Sequence, residues 1–205
     1  DVYKRQLVDD APQPQAAPER IELLQCRREG DAVLSVWRLT RGQRSAEVTY
    51  SFRLMQKSLV VDVRCLGGQI GEFRIGRAVG VENPRLVTLP YLTCDQQRPA
   101  VLVFGPPERP LFLFALLDYY RSNASSLWAA NAVAAEGVTY NGGSRYRPKT
   151  DGRRNDCFER LFLTISPQFE EILPNIPNPK SPWMHVAGER LWRAHGAHIR
   201  EQDYA

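Results

Sequence analysis

Between Ala46 and Met55 the chain alternates without a break. Ala46, Val48, Tyr50, Phe52 and Leu54 are apolar, and Glu47, Thr49, Ser51 and Arg53 stand between them. A repeat of two places successive side chains on opposite faces. It suits a strand with one buried and one wetted face, and it does not suit a helix. The same rhythm is read at 21–26, 32–41, 59–65, 70–75 and 86–92, with turns at Gly30-Asp31, Gly42-Gln43 and Gly67-Gly68. Further strands are predicted at 100–104, 138–141, 157–165 and 169–173. The run 111–120 (LFLFALLDYY) is apolar on both faces, and its flanking Gly and Pro and its aromatic content favour a buried strand. No amphipathic helix of four turns is legible before residue 197. The expected fold is all-β: a large two-sheet antiparallel sandwich, too long for one immunoglobulin-like domain of about 100 residues.

Both ends of the chain break this pattern. Residues 1–6 (DVYKRQ) look like the translation of a transposase end sequence used as a sequencing adapter, and are expected to be foreign to the protein. Residues 7–19 hold three prolines and read as linker or loop. The sandwich is then expected over 20–173. Pro174, Pro177, Pro179 and Pro182 follow. Each fixes φ and removes a donor, so 174–185 reads as an extended proline-rich strap. Residues 186–205 read as the truncated start of another domain. On that expectation the true start is missing, and the absence of a leader peptide carries no meaning; a periplasmic or secreted location is the expectation.

Composition narrows the chemistry. The net charge of +4 over 205 residues is mild and its charges are mixed along the chain, which argues against nucleic acid as a partner. No apolar run approaches the roughly 20 residues of a membrane span. Cys26, Cys65, Cys94 and Cys157 form no CxxC pair, so a zinc knuckle is not expected. Cys26 and Cys65 fall in apolar phases and read as buried thiols. The histidines are His185, His195 and His198, all beyond the expected sandwich. A histidine acid or base inside it is thereby excluded. No nucleophile elbow, phosphate loop or dinucleotide fingerprint occurs. No catalytic residue, metal site or cofactor is predicted.

The most distinctive internal stretch is 140–160 (YNGGSRYRPKTDGRRNDCFER), where aromatic, basic and turn residues interleave. Long loops of this kind are usually functional or mobile. Tyr140 and Tyr146 offer faces for a sugar ring, and Asp151, Arg153 and Arg154 offer bonds to its hydroxyls. Trp128, in a small-residue segment that reads as short helix or irregular strand, joins them as a candidate sugar contact. The alternative is a loop packed against a neighbouring domain, its arginines paired to that domain's carboxylates.

Four segments carry a resemblance: YRPKTDGRRN (146–155), RLFLTISPQFEEILP (160–174), PNIPNPKSPW (174–183) and LWRAHGA (191–197). Together they resemble the N-terminal galactose-mutarotase-like β-supersandwich region of large bacterial glycoside-hydrolase-like proteins, over about residues 20–205. The resemblance implies that a (β/α)8 barrel follows and carries the catalytic carboxylates. It implies a non-catalytic accessory sandwich that braces the barrel and rims its sugar site. It carries no catalytic residue onto this chain. Carbohydrate and the missing C-terminal catalytic domain are the implied partners. A carbohydrate-binding module, and an interaction domain with no sugar role, are the alternatives.

Overall fold

The structure, a computed structural model, describes residues 6–7, 17–89, 99–118 and 121–173. The proline strap, the segment 186–205, Cys94 and all the histidines lie outside the described residues. Among the described residues fifteen strands form three antiparallel sheets. The largest has eight, in the order β2 (Arg20–Glu29), β3 (Ala32–Arg41), β4 (Arg44–Met55), β5 (Ser58–Cys65), β15 (Cys157–Ser166), β10 (Leu111–Leu117), β9 (Ala100–Phe104) and β8 (Arg85–Thr88). A second sheet runs β1 (Gln6–Leu7), β6 (Ile70–Arg74), β14 (Gly143–Arg145), β11 (Ser126–Trp128). The third is small: β12 (Ala132–Ala134), β13 (Gly137–Thr139), β7 (Arg77–Ala78). Among the described residues no helix is long and apolar enough to cross a membrane. The all-β sandwich expected from the period of two is the observed fold.

Chain order explains the large sheet. Strands β2 to β5 form a meander joined by tight turns, which is what short Gly-containing connections permit. β15 then returns from far along the chain to lie beside β5, in register from Cys65↔Cys157 to Ser58↔Thr164. On the inner face Val48, Tyr50, Val61, Val63, Leu102, Ala115 and Leu161 are buried. Against them the other layer sets Ile70, Phe73, Ile75, Val138, Tyr140 and Tyr146, and the two sets form one apolar cluster. Asn141 clasps the layers. Its side chain donates to the carbonyls of Ala100 and Ala115 at 2.9 and 3.0 Å, and its oxygen accepts from the Ala100 N–H at 2.7 Å.

The outer face of the large sheet is not simply wet. Val101, Val103, Phe114 and Ile172 form a second buried cluster, flanked by Leu89, Phe112 and Leu116. Ile172 belongs to a segment expected as a strand, 169–173. It is instead a 3-10 turn, Phe169–Glu171. Pro167 has no donor to continue the ladder of β15. Ser166 Oγ accepts from the Gln168 N–H at 3.1 Å, and Glu171 docks against Lys57 and Ser166. A second correction concerns Cys26, which is exposed rather than buried. It lies on β2, the edge of the large sheet, whose side chains are almost all exposed.

Candidate functional site

The sequence-predicted residues do not gather in one place. Tyr140 and Tyr146 are core residues, 4% and 1% exposed, so neither ring presents a face to a solute. Burial of Tyr146 has a polar reason. Its hydroxyl donates to Glu159 Oε1 at 2.5 Å and accepts from the Phe158 N–H at 3.2 Å. Glu159 is fully buried on the inner face of β15. Its Oε1 also accepts from Ser144 Oγ at 2.6 Å and Ser122 Oγ at 3.0 Å, while Oε2 has no partner among the described residues.

Burial pushes the Glu159 carboxyl above its usual range, against the pull of the bonds from Ser144, Tyr146 and Ser122. Burial, with Cys157 and Glu159 beside it, also raises Tyr146 far beyond an ordinary phenol. The neighbouring thiols follow. Burial first, and Asp156 after it, push Cys65 up to about 11. Cys157 is pushed up to about 12, chiefly by burial. The phenol and the two thiols therefore hold their protons at neutral pH, and with Glu159 they form an interior polar clasp rather than a reactive centre.

Trp128 ends β11 on the outward face of the second sheet. Its neighbour in register is Gly143, and Gly143 in turn faces Arg74 on β6. Arg145 faces Glu72. The alternation of the strands therefore puts Trp128, Arg74, Arg145 and Glu72 on one side. Arg145 and Arg74 lie over the indole, with Cζ at 5.0 and 5.7 Å from the ring centre. Arg74 Nε donates to Glu72 Oε1 at 2.7 Å, and Arg145 Nε stands 3.6 Å from Glu72 Oε2. A cleft of about 550 Å³ opens here, lined by Trp128 with Arg74, Arg77, Arg145, Glu136 and Thr139 among others. Glycine makes it possible. A Cβ on Gly143 would stand 1.9 Å from the Phe73 carbonyl oxygen, and one on Gly142 2.2 Å from that of Trp128.

Arg153 and Arg154 line a different cleft, of about 890 Å³, with Arg44, Gln43, Gln69 and Asp156. Asp151 is not in its wall. The Asp151 carboxylate accepts from the Arg153 N–H at 2.9 Å and shapes the turn that carries Arg153. Among the described residues no cluster of His, Cys, Asp and Glu could hold a metal ion. Comparison with known proteins gives no match: no family model fits the chain, and neither a curated protein nor a solved structure is similar to it.

The sequence reading singled out Trp128, Arg153 and Arg154, which line the two clefts, and did not single out the residues around them. Glu72 and Arg74 could have been found from IGEFR, where two charges stand two residues apart in one short strand, whereas the three residues of GSR give Arg145 no such signal. Glu159 had a clearer signal. It shares the phase of Cys157, Leu161 and Leu163, a lone charge in an apolar row.

Proposed function

We propose that this sandwich is a non-catalytic, carbohydrate-contacting domain of a larger carbohydrate-active enzyme, and that a sugar ring sits in the Trp128 cleft. The observation that carries the reading is the half-buried indole set among three guanidinium groups and a carboxylate. A sugar has apolar C–H faces and a rim of hydroxyls. An aromatic ring suits the faces, and planar forked donors with a carboxylate acceptor suit the rim. The resemblance to the region that precedes a barrel in glycoside-hydrolase-like proteins supports the same reading. Catalysis is assigned to the following domain. Hydrolysis of a glycosidic bond ordinarily uses two carboxyl groups, and among the described residues the Trp128 cleft and the Arg153 cleft are each lined by one, Glu136 and Asp156.

The test is a titration of this chain with neutral oligosaccharides, followed by calorimetry and tryptophan fluorescence, with a reducing-end assay in parallel. Binding that Trp128→Ala weakens about tenfold, without release of reducing ends, is the expected result. Turnover by this chain alone would end the non-catalytic reading. A second reading, an interaction domain with no sugar role, is favoured by one observation: both tyrosines of the 140–160 segment are spent on the core. It gains if no oligosaccharide binds and Trp128→Ala changes nothing.

A further inference from the structure

The larger cleft lies at the end of the big sheet where β4 begins and β5 ends. Three connections meet there: the β3–β4 turn, the β5–β6 turn and the segment leading into β15. The wall is polar. Its charged groups are the guanidinium groups of Arg44, Arg153 and Arg154 and one carboxylate, Asp156, with the amides of Gln43 and Gln69 between them.

That carboxylate is already engaged. Asp156 Oδ1 accepts from the N–H groups of Gly67 and Gly68 at 2.7 and 3.3 Å. Both glycines have positive φ, 79° and 61°, and consecutive N–H groups turned inward in this way form a concave seat for an anion. The seat is filled by the protein's own acid. Arg154 is braced at the wall by donating Nε to the Tyr146 carbonyl at 3.1 Å. The exposed Arg153 side chain has no hydrogen bond or ion pair among the described residues. Arg153, with Arg154 beside it, therefore faces an open polar cleft in which Asp156 is the one acid of the wall among the described residues.

We propose that this cleft binds the oxyanion of an acidic glycan, a uronate carboxylate or a sulfate ester. The planar fork of a guanidinium matches both groups through paired charge-assisted hydrogen bonds. The selection of an oxyanion rests on this cleft alone; that a sugar carries it rests on the reading given above. Glutamine amides supply neutral partners for adjacent hydroxyls.

The experiment is calorimetry of the whole chain with trigalacturonate, the same trimer with its carboxyls reduced to alcohols, a sulfated neutral trimer, and inorganic sulfate. Both anionic trimers should bind more tightly than the carboxyl-reduced one. Arg153→Ala should weaken them about tenfold, the loss of one charge-assisted contact. Arg28→Ala removes the same charge near the Gly30 turn at the far end of the sheet, and should change nothing. Trp128→Ala should leave the preference for anions intact, which separates a failure here from a failure of the Trp128 cleft. A preference between uronate and sulfate names the source of the charge. Equal weakening by Arg153→Ala and Arg28→Ala would overturn the proposal, since it would mean diffuse attraction to a chain of net charge +4. Binding of inorganic sulfate as tight as that of the trimers would overturn the sugar.

Discussion

Glu159 shows what one interior carboxyl can demand of its surroundings. Three hydroxyls, from Ser122, Ser144 and Tyr146, converge on a single oxygen. Glu159→Ala strands all three donors and should cost on the order of 3 kcal/mol in urea unfolding. The pH dependence has a definite sign. Below the ordinary carboxylate value of 4.5 both folded and unfolded chains hold the proton. Above it the unfolded chain releases the proton first, because burial raises the folded value. The contribution of Glu159 to stability is full at low pH and is lost as pH rises through the folded value. Glu159→Gln removes that loss, so its melting temperature should gain on the native chain as pH rises from 4.5 toward neutrality; a constant gap would contradict it. Thiol chemistry is equally specific. In the native protein iodoacetamide should label Cys26, which is exposed, and spare Cys65 and Cys157, held protonated by burial. Peptide mapping before and after unfolding reads the difference.

Elements divide by how their register is written. β4 was legible from Ala46 to Phe52 because its phase follows burial, whereas Leu54, in the same phase, is exposed near the strand's end. β11 and β14 are three residues each, too short for any period to be read. Their placement depends on contacts far away in sequence. Gly143 is such a contact, paired with Arg74 on β6 and Trp128 on β11 and lying close against the Phe73 carbonyl. Gly143→Ala drives a Cβ into the Phe73 carbonyl and should cost about 3 kcal/mol or more, with the Trp128 emission shifted as the cleft opens. On the outer face of β5, Asp62 accepts from Arg160 Nε and Nη2 at 2.6 and 2.7 Å and from Arg53 Nη1 at 3.2 Å. Burial alone would raise its carboxyl, but the bonds and charges of Arg160 and Arg53 prevail and hold it below the usual value. This contribution is present above pH 3.8 and is lost as pH falls through the folded value. Asp62→Asn should cost about 3 kcal/mol at neutral pH, the range for breaking a largely buried ion pair, and should flatten the acid limb of the stability curve.

At the scale of the molecule, one sheet serves two cores. Val61 and Val60 are adjacent in β5, point to opposite faces, and are both fully buried. The sequence pattern predicted the inner core, because Leu59, Val61, Val63 and Cys65 repeat cleanly. It assigned Val60 to the polar phase with Asp62 and Arg64, because its neighbours in register, Arg53 on β4 and the buried Phe162 on β15, are set by pairing that the strand's own pattern does not carry. A strand buried on both faces should open last. Amide exchange should be slowest in β5 and β15 and fastest in the two- and three-residue strands of the smaller sheets. Ile172→Ala then separates the cores. The inner cluster contains no atom of Ile172, whereas the outer one loses a fully buried side chain, a change worth about 2–5 kcal/mol. If the two cores are coupled only through the sheet between them, protection in β9 and β10 should fall more than protection in β6 and β14, and the Trp128 cleft should keep its emission. A uniform loss of protection across all strands would show instead that both faces melt as one unit, and that the outer cluster is part of a single cooperative core.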